Sequence, residues 1–327
     1  MSFAILEFEK PIVELENKIE ELRSFSDKKN VNLAPEVKKL TQKLEQMKAE
    51  IYGNLTEWQK VMIARHPARP YTMDYIHLLT TDFMELHGDR LFADDFAFVG
   101  GFAKINGKNV MVMGQQKGRD TKENIKRNFG CAHPEGYRKA IRLMRLAEKF
   151  HLPVVIFIDT PGAYPGLGAE ERGQAQAIAE NLRDMSGIKT PIIATVIGEG
   201  GSGGALGIAV ADRVYILENA YYSVISPEGC ASILWRNSVK APEAARALKL
   251  TADHLMEFGM VDDKIPEPQG GAHRDPAFVA KHLKEKILRD IAELSSLSPE
   301  ALVESRYQKF RRMGEFEHKA AAQVAAA

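Results

Sequence analysis

Two stretches of this chain, LPVVIFID (152–159) and TPIIATVI (190–197), are almost continuously apolar yet far too short to cross a bilayer. A strand that is apolar on both faces must be covered on both faces, which a parallel sheet flanked by helices provides. A third strand-like run, DRVYILEN (212–219), follows. Between the first two lies AEERGQAQAIAENLRDMSG, a helix pattern with acids in its first turn and Gly187 at its end. The segments therefore read as a βαβαβ core. Upstream, FAFVGGFAKINGKNVMVMGQQKG reads as two strands joined at Asn106-Gly107, a pair suited to a tight hairpin. A helix is expected over 134–150 with Pro134 in its first turn, and an amphipathic helical region over 276–312. The closing KAAAQVAAA is low in complexity and is expected to be disordered.

The first 65 residues have a different rhythm. Ile12, Leu15, Ile19 and Leu22 recur at helical spacing, and Val37, Leu40, Leu44, Met47 and Ile51 resume it after the polar break SFSDKKN. This predicts a two-helix hairpin, with Pro35 near the start of the second helix. Two short helices cannot hide both apolar stripes alone, so the hairpin packs on the core or docks another subunit. The expected organisation is a helical hairpin over 1–65, an α/β domain over 66–295, and a C-terminal helix with a flexible tail over 296–327.

Lys plus Arg and Asp plus Glu both total 44 in 327 residues, and this balance favours neither nucleic acid nor an anionic membrane as partner. The N-terminus MSFAILEFEK lacks a secretory pattern, and the two cysteines, Cys131 and Cys230, show no CxxC spacing. A cytoplasmic protein with reduced thiols is expected. The nine histidines stand at least nine residues apart, so no HxxxH pair exists and no metal is expected on this chain.

The densest signal is TVIGEGGSGGALGIAVADRV, a strand, a glycine-rich turn and a helix of small residues. Such a turn aims unpaired helix N-terminal amides at whatever lies above it. Several readings stay open on these residues. Gly198, Gly200 and Gly203 match GxGxxG, with Glu218 where a dinucleotide fold places its ribose acid, although the helix is short. Gly200, Ser202 and Gly204 match GxSxG, with His254 and His273 downstream, although no HGGG-type loop occurs. In a third reading the amides of Gly203, Gly204 and Ala205 form an oxyanion hole. A turn that merely permits tight packing is the plainest alternative. Asp159-Thr160-Pro161-Gly162 fits the DxxG switch of GTPases, but no GxxxxGK[ST] accompanies it. What remains is a rigid loop at one strand's end beside the next strand's glycine turn, the two walls of one cleft.

The strings RPYTMDYI, GGFAKINGKNVMVMGQQKGRDTKENIKRNFG, HPEGYRKAIRLM, FIDTPGAYPG, AEERGQ, VIGEGGSGGALGI and YSVISPEGCASILW stand in order along this chain. Together they resemble the carboxyltransferase α subunit of multi-subunit acetyl-CoA carboxylase, over residues from about 4 to 312. The resemblance implies a crotonase-like (ClpP/crotonase) spiral of ββα units. It implies a carboxyltransferase β subunit as partner, in a tetramer of two α and two β subunits, with zinc only in the β subunit. It implies biotin as cofactor, delivered as carboxybiotin on a biotin carboxyl carrier protein and charged by an ATP-using biotin carboxylase. The reaction implied is carboxyl transfer to acetyl-CoA, giving malonyl-CoA for fatty acid synthesis. The biotin anion left by carbon dioxide takes a proton from the acetyl methyl group, and the enolate attacks the carbon dioxide. On this resemblance Gly203, Gly204 and Ala205 hold the biotin oxygen, with Gly200, Gly201, Thr160, Pro161, Gly162 and Ala163 lining the cleft. Lys117, Arg119 and Arg127 either contact CoA phosphates or belong to a solvated helix face. Ser226-Pro227-Glu228-Gly229 reads as a helix cap.

Overall fold

The computed structural model describes residues 5–29 and 32–314, so the alanine-rich tail lies outside the described residues. The chain begins with an antiparallel pair, α1 (Lys10–Lys29) and α2 (Ala34–Gly53), whose stripes meet through Ile12, Ile19 and Leu44. Helix α1 runs through most of the polar SFSDKKN segment, because polar residues on a solvent face do not end a helix unless they cap it. Next comes α3 (Glu57–Ala64), started by a Thr56–Gln59 capping box. It buries Val61, Ile63 and Ala64 and packs against the central sheet, so residues 57–65 sit with the α/β domain rather than the hairpin.

The sheet follows. After α4 (Thr72–Leu79), its antiparallel margin comprises β1 (Thr81–Glu85), β2 (Phe98–Ile105) and β3 (Lys108–Gln115). Asn106 and Gly107 both take positive φ (49° and 79°), and Ile105 pairs Lys108 across the two-residue turn. After α5 (Thr121–Lys126) and α6 (Pro134–Lys149) the chain turns parallel. Strand β4 (Val154–Thr160) lies between β3 and β5 (Ile192–Gly201), and β5 lies beside β6 (Arg213–Leu217). Every residue of β4 and β5 is buried, as their apolar composition requires. The predicted helix between them is divided into α7 (Leu167–Glu171) and α8 (Gln174–Gly187), because Gly173 takes a left-handed conformation at the boundary.

Strand β5 is longer than its apolar run. Its last residues leave β6 and pair instead with β7 (Tyr221–Ser223), through Glu199–Tyr221, Gly200–Tyr222 and Gly201–Ser223. The turn from β5 enters α9 (Ser202–Leu206), a single short helix. The remaining elements are α10 (Pro227–Trp235), α11 (Ala241–Leu248), α12 (Ala252–Glu257), β8 (Asp263–Ile265), α13 (Pro276–Leu294) and α14 (Pro299–Arg311). The amphipathic C-terminal region is thus two helices, broken where Ser298 caps α14 ahead of Pro299. Helix α14 is tied down by Arg306, which is fully buried. It bonds both Asp212 carboxylate oxygens (2.9 and 2.7 Å) and the carbonyls of Met185, Ile188 and Thr190.

Candidate active site at the C-terminal ends of β4 and β5

Strands β4 and β5 deliver their following loops to the same place, and backbone touches backbone there. A Cβ on Gly201 would stand 2.1 Å from the Pro161 carbonyl oxygen, and one on Gly204 would stand 2.5 Å from Gly162 C and 2.6 Å from Ala163 N. Only glycine permits that approach. Gly200 is squeezed in the same way against Tyr221, its Cβ position lying 3.0 Å from that carbonyl. Gly203 differs, because its Cβ direction meets only Ile178 at 3.6 Å, an ordinary contact. The β4 loop is stiffened by Thr160, whose hydroxyl donates to the Gly162 carbonyl (2.7 Å) and accepts from the Gly162 N–H (3.1 Å). Thr160, Pro161, Gly162, Ala163, Gly200, Gly201, Gly203, Gly204 and Ala205 are therefore one constellation. Thr160, Gly204 and Ala205 are buried in it, while Pro161 and Ser202 are exposed.

At the start of α9, Ser202 takes φ 49°, a conformation costly for a residue with a side chain. The left-handed residue followed by a helical turn presents successive N–H groups to one side, the geometry of an anion-binding nest. Gly203 and Gly204 lie in the first turn of α9, whose N–H groups have no acceptor further back in the helix, and no side chain caps them from Gly201. The Gly204 carbonyl, in contrast, is held by the Gln115 side-chain amide (2.9 Å) and the Tyr137 hydroxyl (3.5 Å).

Beneath the two loops lies a buried charge network that no motif announced. Lys117 Nζ sits 2.7 Å from Asp159 Oδ1 and 2.8 Å from Glu199 Oε1. Arg65 Nε donates to Glu199 Oε2 (2.7 Å), its Nη1 reaches Glu228 (2.5 Å), and the Tyr221 hydroxyl donates to Glu199 Oε2 (2.6 Å). Asp159 Oδ1 also accepts the Glu199 N–H at 2.9 Å, so the ends of β4 and β5 are stitched together directly. Burial alone would raise the Glu199 carboxyl, but the Lys117 ammonium and the Arg65 guanidinium pull it down to about 2. Burial would lower Lys117, and the two carboxylates more than offset that, so its ammonium is raised. The Asp159 carboxyl is pushed up by burial, which outweighs its share of Lys117. A second buried pair, Arg69–Glu267, continues the scaffold. Arg69 also donates to the Ile197 carbonyl near the end of β5 (2.7 Å).

This network corrects one expectation. Lys117 is not presented to a phosphate: it is buried and bonded to two carboxylates, which would be left uncompensated if it turned away. Arg119 and Arg127 lie apart from the glycine turn. Arg119 stacks on Tyr71 and bonds Asp74 and the carbonyls of Pro67 and Arg69, and Arg127 bonds Glu123 and the Phe96 carbonyl. The signal for the network was present in the sequence, since Glu199 between two glycines and Asp159 ending an apolar run are charges inside buried strands, which require partners. Arg65, Tyr221 and Glu228 carried no comparable signal. Ser226 does cap α10, accepting from the Gly229 N–H at 3.1 Å.

The other glycine-motif readings lack their parts. Helix α9 has 5 residues, too few for a dinucleotide-binding βαβ unit, and Glu218 accepts the Glu267 N–H. For a serine hydrolase, a base should address Ser202. His254 instead pairs with Thr251 (3.0 Å) and His273 stacks on His66 (3.9 Å between centroids).

Comparison with known proteins decides the lineage. Residues 5–314 match the model of the family described as acetyl co-enzyme A carboxylase carboxyltransferase-like. The chain belongs to that family. It is 59% identical over 311 residues to the acetyl-coenzyme A carboxylase carboxyl transferase subunit alpha of Geobacter metallireducens, covering 95% of this chain and 98% of that one. To the protein of the same name from Halalkalibacterium halodurans it is 56% identical, with 96% of each chain covered. Among solved structures, transcarboxylase 12S aligns with TM-score 0.51 at 22% identity, over 67% of this chain and 42% of that one. A Pseudomonas malonate decarboxylase hetero-tetramer chain aligns with TM-score 0.53 at 15% identity, over 66% and 89%. The fold of this family member is crotonase-like, the β2–β3–α6 unit being one of its ββα repeats. Among the described residues, no helix is long and apolar enough to cross a membrane.

Proposed function

We propose that this chain is the α half of a two-chain carboxyltransferase that moves a carboxyl group from carboxybiotin to acetyl-CoA, giving malonyl-CoA for fatty acid synthesis. The family assignment supports the reaction class, and the observation that carries the site is the glycine turn at the start of α9, entered through left-handed Ser202, whose first-turn N–H groups have no acceptor further back in the helix. Biotin, borne by a separate carrier protein and recharged by an ATP-using biotin carboxylase, supplies the carboxyl group as a substrate of this site. As the carboxyl group leaves, negative charge develops on the donor's ureido oxygen, and the Gly203–Ala205 turn receives it. One such preorganised N–H is worth about 3–4 kcal/mol, or roughly 10²–10³ in rate. The Thr160–Ala163 loop forms the opposite wall and holds the turn rigid. No side chain of this cleft needs to act as acid or base, because the donor itself takes the proton from the acetyl methyl group.

The thioester oxygen and the CoA moiety fall to a zinc-bearing β subunit, in an assembly of two α and two β chains. Exposed apolar side chains beside the turn support a second chain closing the cleft. Val224 directly follows β7 and is 80% exposed, and Ile233 (72%), Leu234 (63%) and Val239 (81%) extend that surface along α10 and beyond. The N-terminal hairpin is a second surface for the assembly. The reading places the protein in the cytoplasm.

The test is reverse transfer, malonyl-CoA plus a biotin analogue giving acetyl-CoA. The purified chain alone should be inactive and should gain activity with a β subunit. Gly203→Pro removes one N–H of the first helical turn, also disfavours the left-handed Ser202 before it, and should cost at least about 10²-fold in kcat. Gly203→Ala keeps the N–H, adds a methyl toward Ile178, and should keep most of the activity. Activity without a partner, or a fully active Gly203→Pro complex, refutes the reading.

A further inference from the structure

The turn at the start of α9 is short, glycine-rich and entered through a strained Ser202, so something outside it must fix the orientation of its peptides. Gln115, the last residue of β3, is fully buried and is not in either loop. Its side-chain amide faces both. Nε2 donates to the Gly204 carbonyl at 2.9 Å, and Oε1 accepts the Asp159 N–H, at the base of the Thr160–Ala163 loop, at 3.2 Å. The chemistry of the partners fixes which end is which, since a carbonyl needs the NH2 and an N–H needs the oxygen. The backbone of Gln115 is itself pinned, its carbonyl accepting the buried Thr72 hydroxyl.

From this geometry we infer that Gln115 is a positioning residue, one amide that sets the Gly204–Ala205 peptide plane and locks it to the opposite wall of the cleft. The peptide is planar and trans, so its C=O and N–H point in opposite directions. Drawing the Gly204 oxygen toward β3 therefore turns the Ala205 N–H back toward the start of α9, where the Gly203 and Gly204 N–H groups lie. The carbonyl would otherwise be free to accept the Ile208 N–H and continue the helix. Instead Ile208 bonds to Ala205, and α9 ends at Leu206. The same side chain, through Asp159, keeps the glycine turn in register with the β4 loop. Gln115 touches no substrate, and its effect runs through the peptides it holds. This inference rests on the glycine turn being the oxyanion site.

The experiment uses the full chain assembled with its β subunit in the malonyl-CoA plus biotin-analogue assay. Gln115→Met fills the same volume without either hydrogen bond. It should lower kcat by at least tenfold, toward the roughly 10²-fold cost of misplacing catalytic groups by about an ångström. KM for malonyl-CoA and association with the β subunit should stay within twofold. Gln115→Glu keeps the acceptor for Asp159 but can donate to Gly204 only when its carboxyl is protonated. Its kcat relative to wild type should therefore climb as pH is lowered from 9 to 6, a response that loss of packing would not give. A Gln115→Glu ratio that is flat across that range, or a folded Gln115→Met with kcat within twofold of wild type, overturns the inference. Gly203→Pro in the same assay separates the two claims. If it too is fully active, the oxyanion reading fails. If it is impaired while the Gln115 variants are not, only the positioning role of Gln115 fails.

Discussion

Removing Lys117 as Lys117→Met leaves two buried carboxylates to share what remains. Glu199 keeps Arg65 and the Tyr221 hydroxyl, whereas the Asp159 carboxylate, among the described residues, keeps the Glu199 N–H at 2.9 Å. Asp159 is 1% exposed, so an unpaired anion there is too costly and the group takes up a proton instead. Protonating an aspartate of ordinary pKa 3.9 at pH 7 costs about 4 kcal/mol, which caps the penalty. For a chain of this size that lowers Tm by roughly 5–10 °C. The pH dependence then has a fixed sign. In the variant the Asp159 pKa is raised above its unfolded value, so the folded state holds a proton that the unfolded state lacks at neutral pH. The stability deficit should shrink by about 1.4 kcal/mol per pH unit as pH falls from 7 toward 5. Adding Asp159→Asn to Lys117→Met removes the offending charge and should recover most of the loss. Chemical denaturation of the three variants and wild type at pH 5, 6 and 7 measures all of this. A deficit below about 1 kcal/mol at pH 7, or one that does not change with pH, would refute the idea that Lys117 neutralises a buried anion.

Gly204→Ala forces a methyl against the Gly162–Ala163 backbone and should cost several kcal/mol or abolish folding, while Gly203→Ala stays within about 0.5 kcal/mol; calorimetry of both distinguishes packing from catalysis. Arg306→Leu leaves Asp212 and three buried carbonyls without their donor, so α14 should detach and limited proteolysis should cut within 299–311 under conditions that leave wild type intact. Burial, then the neighbouring His66 and Arg274, holds His273 down to about 3. Its neutral form belongs to the folded state, so its contribution is lost as pH falls from about 6.5 toward 3. His273→Phe should flatten that limb of the stability curve by up to about 1.4 kcal/mol per pH unit in acid denaturation followed by circular dichroism.

The readings that held against the structure are those set by local physics. The continuous apolar runs form β4 and β5, Asn106-Gly107 forms the tight turn, and the glycine string after β5 makes the close backbone approach that was the plainest of its readings. The readings that shifted are those where a distant contact outbids local preference. Gly173 divides a helix pattern that looked continuous, α1 extends through a polar segment, and α3 joins the sheet although its sequence neighbours are the hairpin. The cations of 117–127 show the same limit. Their spacing suggested one solvent-facing group, yet Lys117 is buried and Arg119 and Arg127 are engaged elsewhere.

Sequence by itself determined the strand order's raw material and the glycine turn, because hydrophobic period and turn chemistry act over a few residues, and its long motif strings in order carried the family resemblance. Tertiary structure alone decided what surrounds that turn. Lys117 meets Glu199 across 82 positions and Gln115 meets Gly204 across 89. Pairs that far apart are joined only when parallel strands align their C-terminal ends, and the need to satisfy buried charge and buried N–H groups then dictates which side chains stand there.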